Sequence, residues 1–408
     1  MSAVDNFLGA FKFLRSLSLF KISQNYPKAY LALVFIAALL GYAYLLLFPV
    51  GVIYGGYQTI LALMLPFSGD MLLTTLTWIS ITLFSAGMTH GIVTIKFENP
   101  EGIALSNEKA QLVFNTLEEI QQDVKWPKVQ NVVLSRRFEL NVIKTPLFGL
   151  PFWSRNTLII GYPFMQTISP EYFDCALTRK LGQFAKRKNI FFNWLSFLRD
   201  TWLQYPHPFN KRALVGDQLN YWFFRLYGNF YHQFALYITQ ADELKADEMV
   251  LNKLNDRDVF KTAETIRVVQ MFLDQHYWPK LNTLLDRKTV SPAQLKPYDH
   301  LPKATMQMMQ SNIVTHWLKL LSLENKMEGS PEAPFARRME YMGYNKMYSL
   351  KPYDKTAAQY YFGPANTQLA ALMNKMWAAQ VSKELAHQQK AAHNQAKNNA
   401  QQRLTVAF

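Results

Sequence analysis

The stretch Phe173-Asp-Cys-Ala-Leu-Thr-Arg-Lys-Leu-Gly-Gln183, taken with Glu243-Leu-Lys-Ala-Asp247 further along, decides how this chain is read. A helix brings residues three and four apart onto one face, so Phe173, Ala176, Leu177, Leu181 and Phe184 form an apolar stripe with Lys180 inside it. In the second stretch the stripe is Ala246, Val250, Leu251 and Leu254, and the same geometry turns Glu243 and Asp247 inward. A charge withdrawn from water is costly unless it is paired or bound to a metal. The two helices are therefore expected to meet, with Lys180 or Arg179 as partners of the carboxylates. The plainest reading is a structural ion pair between packed helices.

Composition bounds the rest. The chain has 408 residues, half of them hydrophobic, enough for a membrane anchor and a sizeable domain. Its single cysteine, Cys175, excludes an internal disulfide and a cysteine-rich zinc cluster, and reads as a small core residue. A formal charge of +14 favours an anionic partner. Lipid head groups fit that best, because no helix-turn-helix, zinc-finger or RNA-binding signature points to nucleic acid.

Residues 1–28 carry Lys12, Arg15, Lys21 and Lys28, with Phe7, Leu8, Phe11 and Leu14 at helical spacing, as in a helix lying on a membrane surface. Residues 29–95 form the expected anchor. Ala29 to Gly69 holds no charged residue, and a first membrane helix is predicted at about 30–53. Gly55, Gly56 and Pro66 are expected to break it, leaving Thr59–Phe67 at the interface, before a second helix over 71–95. A cleaved signal peptide is not expected, because the apolar segment exceeds a signal core. Basic residues flank both helices while only Asp70 lies between them, which predicts both termini on the cytoplasmic side, at the inner membrane if the source is bacterial.

Residues 96–383 read as a soluble domain. Ser106–Val124 is predicted helical; Val129–Ile143 and Thr157–Ile160 suggest a small sheet with a hairpin across Pro146–Arg155. Ser169 before Pro170 marks a helix start, and helices are expected from there to about residue 288. Val290–Lys303 and Glu324–Pro334 carry loop signals, with a helix over Ala304–Leu323 between them and another after Thr367. Residues 384–408, rich in Ala, Gln, Asn and Lys, are expected to be a mobile polar tail.

The succession of two membrane helices, a short sheet, Ile159-Ile160-Gly161-Tyr162-Pro163, Ser169-Pro170-Glu171, a helix with Leu181-Gly182, and then Glu243-x-x-Ala246-Asp247 resembles the HtpX-like and CAAX prenyl endopeptidase family of membrane zinc metallopeptidases. The resemblance continues through Asn193-Trp194, Arg199, Trp202, the Arg338 region and Thr356-Ala357-Ala358, over roughly residues 100–390. It implies a mainly α fold with a small β-sheet, a zincin-like metallopeptidase domain preceded by two transmembrane helices. In that family the first stretch normally reads Ala-Val-Leu-Ala-His-Glu-Leu-Gly-His, and a later glutamate completes the zinc site. Two neutral imidazoles four apart bind zinc, and the glutamate beside the first takes a proton from the metal-bound water.

By that resemblance the former metal-ligand positions are Arg179, Gln183 and Glu243, and Lys180 takes the general-base position, with Asp247 retained. Arginine stays protonated and offers no lone pair to a metal. Glu139-Leu140 after Phe138, and Ser330–Pro334 where a His-Pro is expected, depart from the pattern as well. None of His207, His232, His276, His300 and His316 pairs with another histidine at a spacing of three, four or five. The expectation is an inactive relative, with no metal and no cofactor, in which Arg179 and Lys180 pair with Glu243 and Asp247. It would bind a peptide or a membrane-protein segment at the cytoplasmic membrane face. The alternatives are an active zinc metalloendopeptidase with a rebuilt site, and a structural protein that docks on anionic lipid.

Overall fold

The computed structural model describes residue 19, residues 22–23, 25–124, 128–147, 150–183, 190–212, 215–286, 290–322, 335–344, 350 and 352–406. The fold is mainly helical with a small mixed sheet. The expected surface helix over residues 1–28 and the loop at Glu324–Pro334 lie almost wholly outside the described residues.

Two helices, Pro27–Leu63 and Gly69–Val93, are long and apolar enough to cross a membrane. The first runs further than its glycines predict. Gly55 and Gly56 do not interrupt it, and most of the expected interfacial segment Thr59–Phe67 is its last turn and a half. The reason is packing: a Cβ on Gly51 would stand 2.6 Å from the Ser85 hydroxyl and one on Gly55 2.5 Å from that of Thr82. The glycines let the two helices touch, as small residues spaced four apart do between membrane helices. Ser68 caps the second helix, its hydroxyl accepting from Met71 N at 3.1 Å.

The domain is built on a four-stranded sheet, with β1 Ile103–Ala104, β2 Asn131–Ser135, β3 Leu140–Leu147 and β4 Leu150–Gly161, in the order β1-β2-β4-β3. β2 and β4 are parallel, and the outer pairs are antiparallel. The predicted run Val129–Ile143 is thus two strands. The hairpin is tighter than expected, because Pro146 pairs with Ser154 and Thr145 with Arg155 inside the ladder. Proline is tolerated there because β3 is an edge strand. The helix Gln111–Val124 starts five residues later than Ser106 suggests.

Buried Leu134, Leu158, Ile160, Phe173, Leu177 and Leu181 join sheet and helices into one core. A second core wraps the Pro27–Leu63 helix with Trp202, Tyr205, Phe224, Tyr227 and Tyr231, and a third gathers Val268, Leu301 and Trp317. Val290–Lys303 holds the helix Pro292–Leu295 and the start of Pro297–Met309, contrary to the loop expected there. Pro292 and Pro297 each sit in a first helical turn, where the missing N–H has no partner to lose, while Pro302 lies inside the second helix. The helix predicted over Ala304–Leu323 is correspondingly divided, its second part being Ile313–Ser322. The backbone of the polar tail continues the helix Ala365–Val406.

Candidate functional site

The helix Pro170–Gly182 begins as its sequence dictates, with the Ser169 hydroxyl accepting from Tyr172 N at 3.3 Å and Pro170 in the first turn. Phe173, Ala176, Leu177 and Leu181 are buried, as the stripe predicts, while Phe184 lies outside the described residues. The helix packs against β3 and against Leu236–Leu251. Gly182 brings the second contact close, because a Cβ there would collide with the Met249 methyl group. On the facing helix Ala246 and Val250 are buried, Leu251 is half-buried and Leu254, just past the helix end, is exposed.

Both carboxylates turn inward. Asp247 is fully buried, and Arg179 Nε donates to its Oδ1 at 2.5 Å. A third element supplies the rest: Arg338, on the helix Phe335–Tyr341, donates from Nε to Oδ2 at 2.8 Å and from Nη2 to Oδ1 at 2.9 Å. Its neighbour Arg337 donates to the buried Gln240 Oε1 at 3.4 Å, fastening the same two helices about two turns away along the Asp247 helix. Burial by itself raises the Asp247 pKa, but the two guanidiniums outweigh it and hold the carboxyl at about 2.

Of the proposed partners, Arg179 and Asp247 are brought together. Glu243 is buried one turn earlier on the same helix, Lys180 is half-buried beside Arg179, and Gln183 ends the helix with its N–H bound to Arg179 O at 3.1 Å. Sequence reasoning did not assign Arg338 to Asp247. The two are 91 residues apart, and no local periodicity connects them.

Other groups nearby are structural. Cys175 is buried, and burial pushes its thiol up to about 11, which suits a core residue. The Tyr361 hydroxyl donates to Asp174 Oδ1, and burial raises the Asp174 pKa. Thr356 caps the helix Ala357–Phe362, whose Ala357 N–H donates to Ile168 O at 2.8 Å. Glu139, just before the edge strand, accepts from the Ser135 hydroxyl at 2.7 Å.

The donor set does not fit zinc. A guanidinium occupies the position that the resemblance gives to the first ligand, and both Asp247 oxygens are taken by guanidinium N–H groups. Among the described residues no three His, Cys, Asp or Glu side chains are grouped as a metal site. The arrangement is a charge-assisted clamp that ties three helices together through one buried carboxylate. Compared with models of known protein families, with curated proteins and with solved structures, the chain matches none.

Proposed function

We propose that this chain is a membrane-anchored, catalytically inactive relative of the HtpX-like zinc metallopeptidases, which binds a peptide or a membrane-protein segment without cutting it. The observation that carries the reading is the Arg179–Asp247 pair. It puts a permanent cation where the resemblance expects a metal ligand, facing the acidic segment expected to complete the site. The cation takes over the charge that a metal would supply, and Lys180 stands where a base would be needed while being a proton carrier itself. β3 is an edge strand of the sheet and packs beside the Arg179 helix, so an extended segment could add along it.

The test is to purify the full chain in detergent, measure bound zinc by elemental analysis, and assay hydrolysis of unfolded casein with and without a chelator. The reading expects no stoichiometric zinc and no chelator-sensitive cleavage. Stoichiometric zinc with chelator-sensitive cleavage would establish an active peptidase instead.

A further inference from the structure

The end of the Gly69–Val93 helix is held by a single side chain. Arg212, just past the short helix Pro206–Asn210, donates from Nη2 to Thr94 O at 2.5 Å and from Nη1 to Thr94 Oγ1 at 3.1 Å and to Gly91 O at 3.4 Å. The last carbonyls of a helix have no intrahelical partner, and a cation there satisfies them and complements the helix dipole. The Arg212 backbone is fixed as well, its N–H donating to the O of the fully buried Phe209 at 3.2 Å.

The same guanidinium lies beside a second acceptor. Asp217, on the helix Val215–Phe234, is 1% exposed, and its Oδ1 is 4.0 Å from Arg212 Nη1. Among the described residues neither of its oxygens accepts a hydrogen bond, and no other cation comes within that distance. The carboxylate is pressed against the helix end that Arg212 caps. A Cβ on Gly91 would stand 2.7 Å from Asp217 Oδ1, and one on Gly216 would stand 3.3 Å from Met88 Sδ. Asn220, one turn on, is held by the Tyr44 hydroxyl, which donates to its Oδ1 at 3.0 Å.

Nη1 carries two N–H groups and makes two hydrogen bonds at the helix end, so it caps the helix or serves Asp217, not both. A buried carboxylate without donors is costly, and so is a helix end stripped of its cap. Each position of the arginine relieves one at the expense of the other. The two positions are close, because an advance of about 1 Å by Nη1 reaches ordinary hydrogen-bond distance from Oδ1.

We propose that Arg212 is a two-position latch at the junction between the Gly69–Val93 helix and the domain. In one position it caps the helix at Gly91 and Thr94. In the other it pairs with Asp217 and releases Thr94–Glu98, the stretch that carries the chain from the helix into the domain. Glu98 keeps its pairing with Lys211, so the loosened stretch stays short. The latch sets the stiffness of the covalent link through which movement between helix and domain must pass.

The test is amide hydrogen exchange over Thr94–Glu98, read by mass spectrometry on the full chain in phosphatidylcholine vesicles. Asp217→Asn removes the competing charge, so it should keep Arg212 on the helix end and slow exchange several-fold. Thr94→Val and Arg212→Gln weaken the cap and should speed exchange several-fold, and adding Asp217→Asn to Thr94→Val should return it towards the parent. A static ion pair in which Asp217 merely holds Arg212 in place makes the opposite prediction for Asp217→Asn. Faster or unchanged exchange in that variant, with the Leu177–Leu181 core still protected, would overturn the proposal. If the core loses protection too, Asp217→Glu decides, because it keeps the charge and extends its reach towards Nη1. Faster exchange over Thr94–Glu98 is then expected, and exchange no faster than the parent's would overturn the latch.

Discussion

Arg338 grips Asp247 through two parallel hydrogen bonds, Nε to Oδ2 at 2.8 Å and Nη2 to Oδ1 at 2.9 Å, while Arg179 shares Oδ1 from the opposite helix. The carboxylate is fully buried and the Arg179 and Arg338 side chains are 22% and 16% exposed, so removing the one anion strands two cations at the edge of the core. Asp247→Asn, which preserves volume, should cost about 3 kcal/mol or more. Arg338→Lys, which keeps the charge but loses the fork, should cost about 1–3 kcal/mol. Denaturant unfolding in detergent measures both, and an Asp247→Asn protein as stable as the parent would show that the clamp does not hold the helices.

The same carboxylate gives a signed dependence on pH. Its pKa is lowered from an ordinary 3.8 to about 2, so the folded state favours the ionised form. The stability this supplies is complete above about pH 5 and fades as pH falls towards 2, by about 2–3 kcal/mol. Asp174, raised by burial, acts in the opposite sense, so the informative quantity is the difference between the parent and Asp247→Asn. The gap between the two unfolding curves should narrow on acidification, and a gap that stays constant from pH 6 to 2 would refute the assignment.

The parts of this fold legible in the sequence are those fixed by local pattern. The uncharged runs announce both long helices, Ser169-Pro170 announces the Arg179 helix, and periodicity alone turns Glu243 and Asp247 inward. What stayed hidden depends on tertiary contact. Gly55 and Gly56 look like breakers until Thr82 is seen to need the space beside Gly55, and Pro292 and Pro297 look like loop residues until each is found in a first helical turn. Arg338 is hidden for the same reason. A bidentate clamp is a property of two distant helices, and its sequence trace is a single arginine among 43 Lys and Arg residues.

Two glycines near the site respond differently to the same substitution. A Cβ on Gly161, at the end of β4, would strike the Arg137 carbonyl and stand 2.7 Å from Glu139 N, both of them backbone atoms tied to the strand by the Gly161 N–H to Glu139 O bond. A Cβ on Gly182 meets only the flexible end of the Met249 side chain, its methyl group and sulfur, which can swing aside. Gly161→Ala should therefore cost about 3 kcal/mol, and Gly182→Ala about 1 kcal/mol or less. Thermal unfolding of the two variants side by side checks the ranking, which fails if Gly182→Ala is the worse.

Between the two long apolar helices, adjacent glycines should give opposite signs. A Cβ on Gly55 would stand 2.5 Å from Thr82 Oγ1, and that hydroxyl is pinned by its own hydrogen bond to Trp78 O at 2.8 Å. A Cβ on Gly56 meets no atom within 4 Å. Gly55→Ala should thus lose about 1–2 kcal/mol through overpacking, whereas Gly56→Ala should be neutral or gain up to about 1 kcal/mol from helix propensity. Adding Thr82→Ala removes the obstructing oxygen and should restore most of what Gly55→Ala loses, which separates a steric clash from a general intolerance of change at that turn. Unfolding in detergent provides the three values. If Gly55→Ala and Gly56→Ala behave alike, the helices do not cross at Gly55.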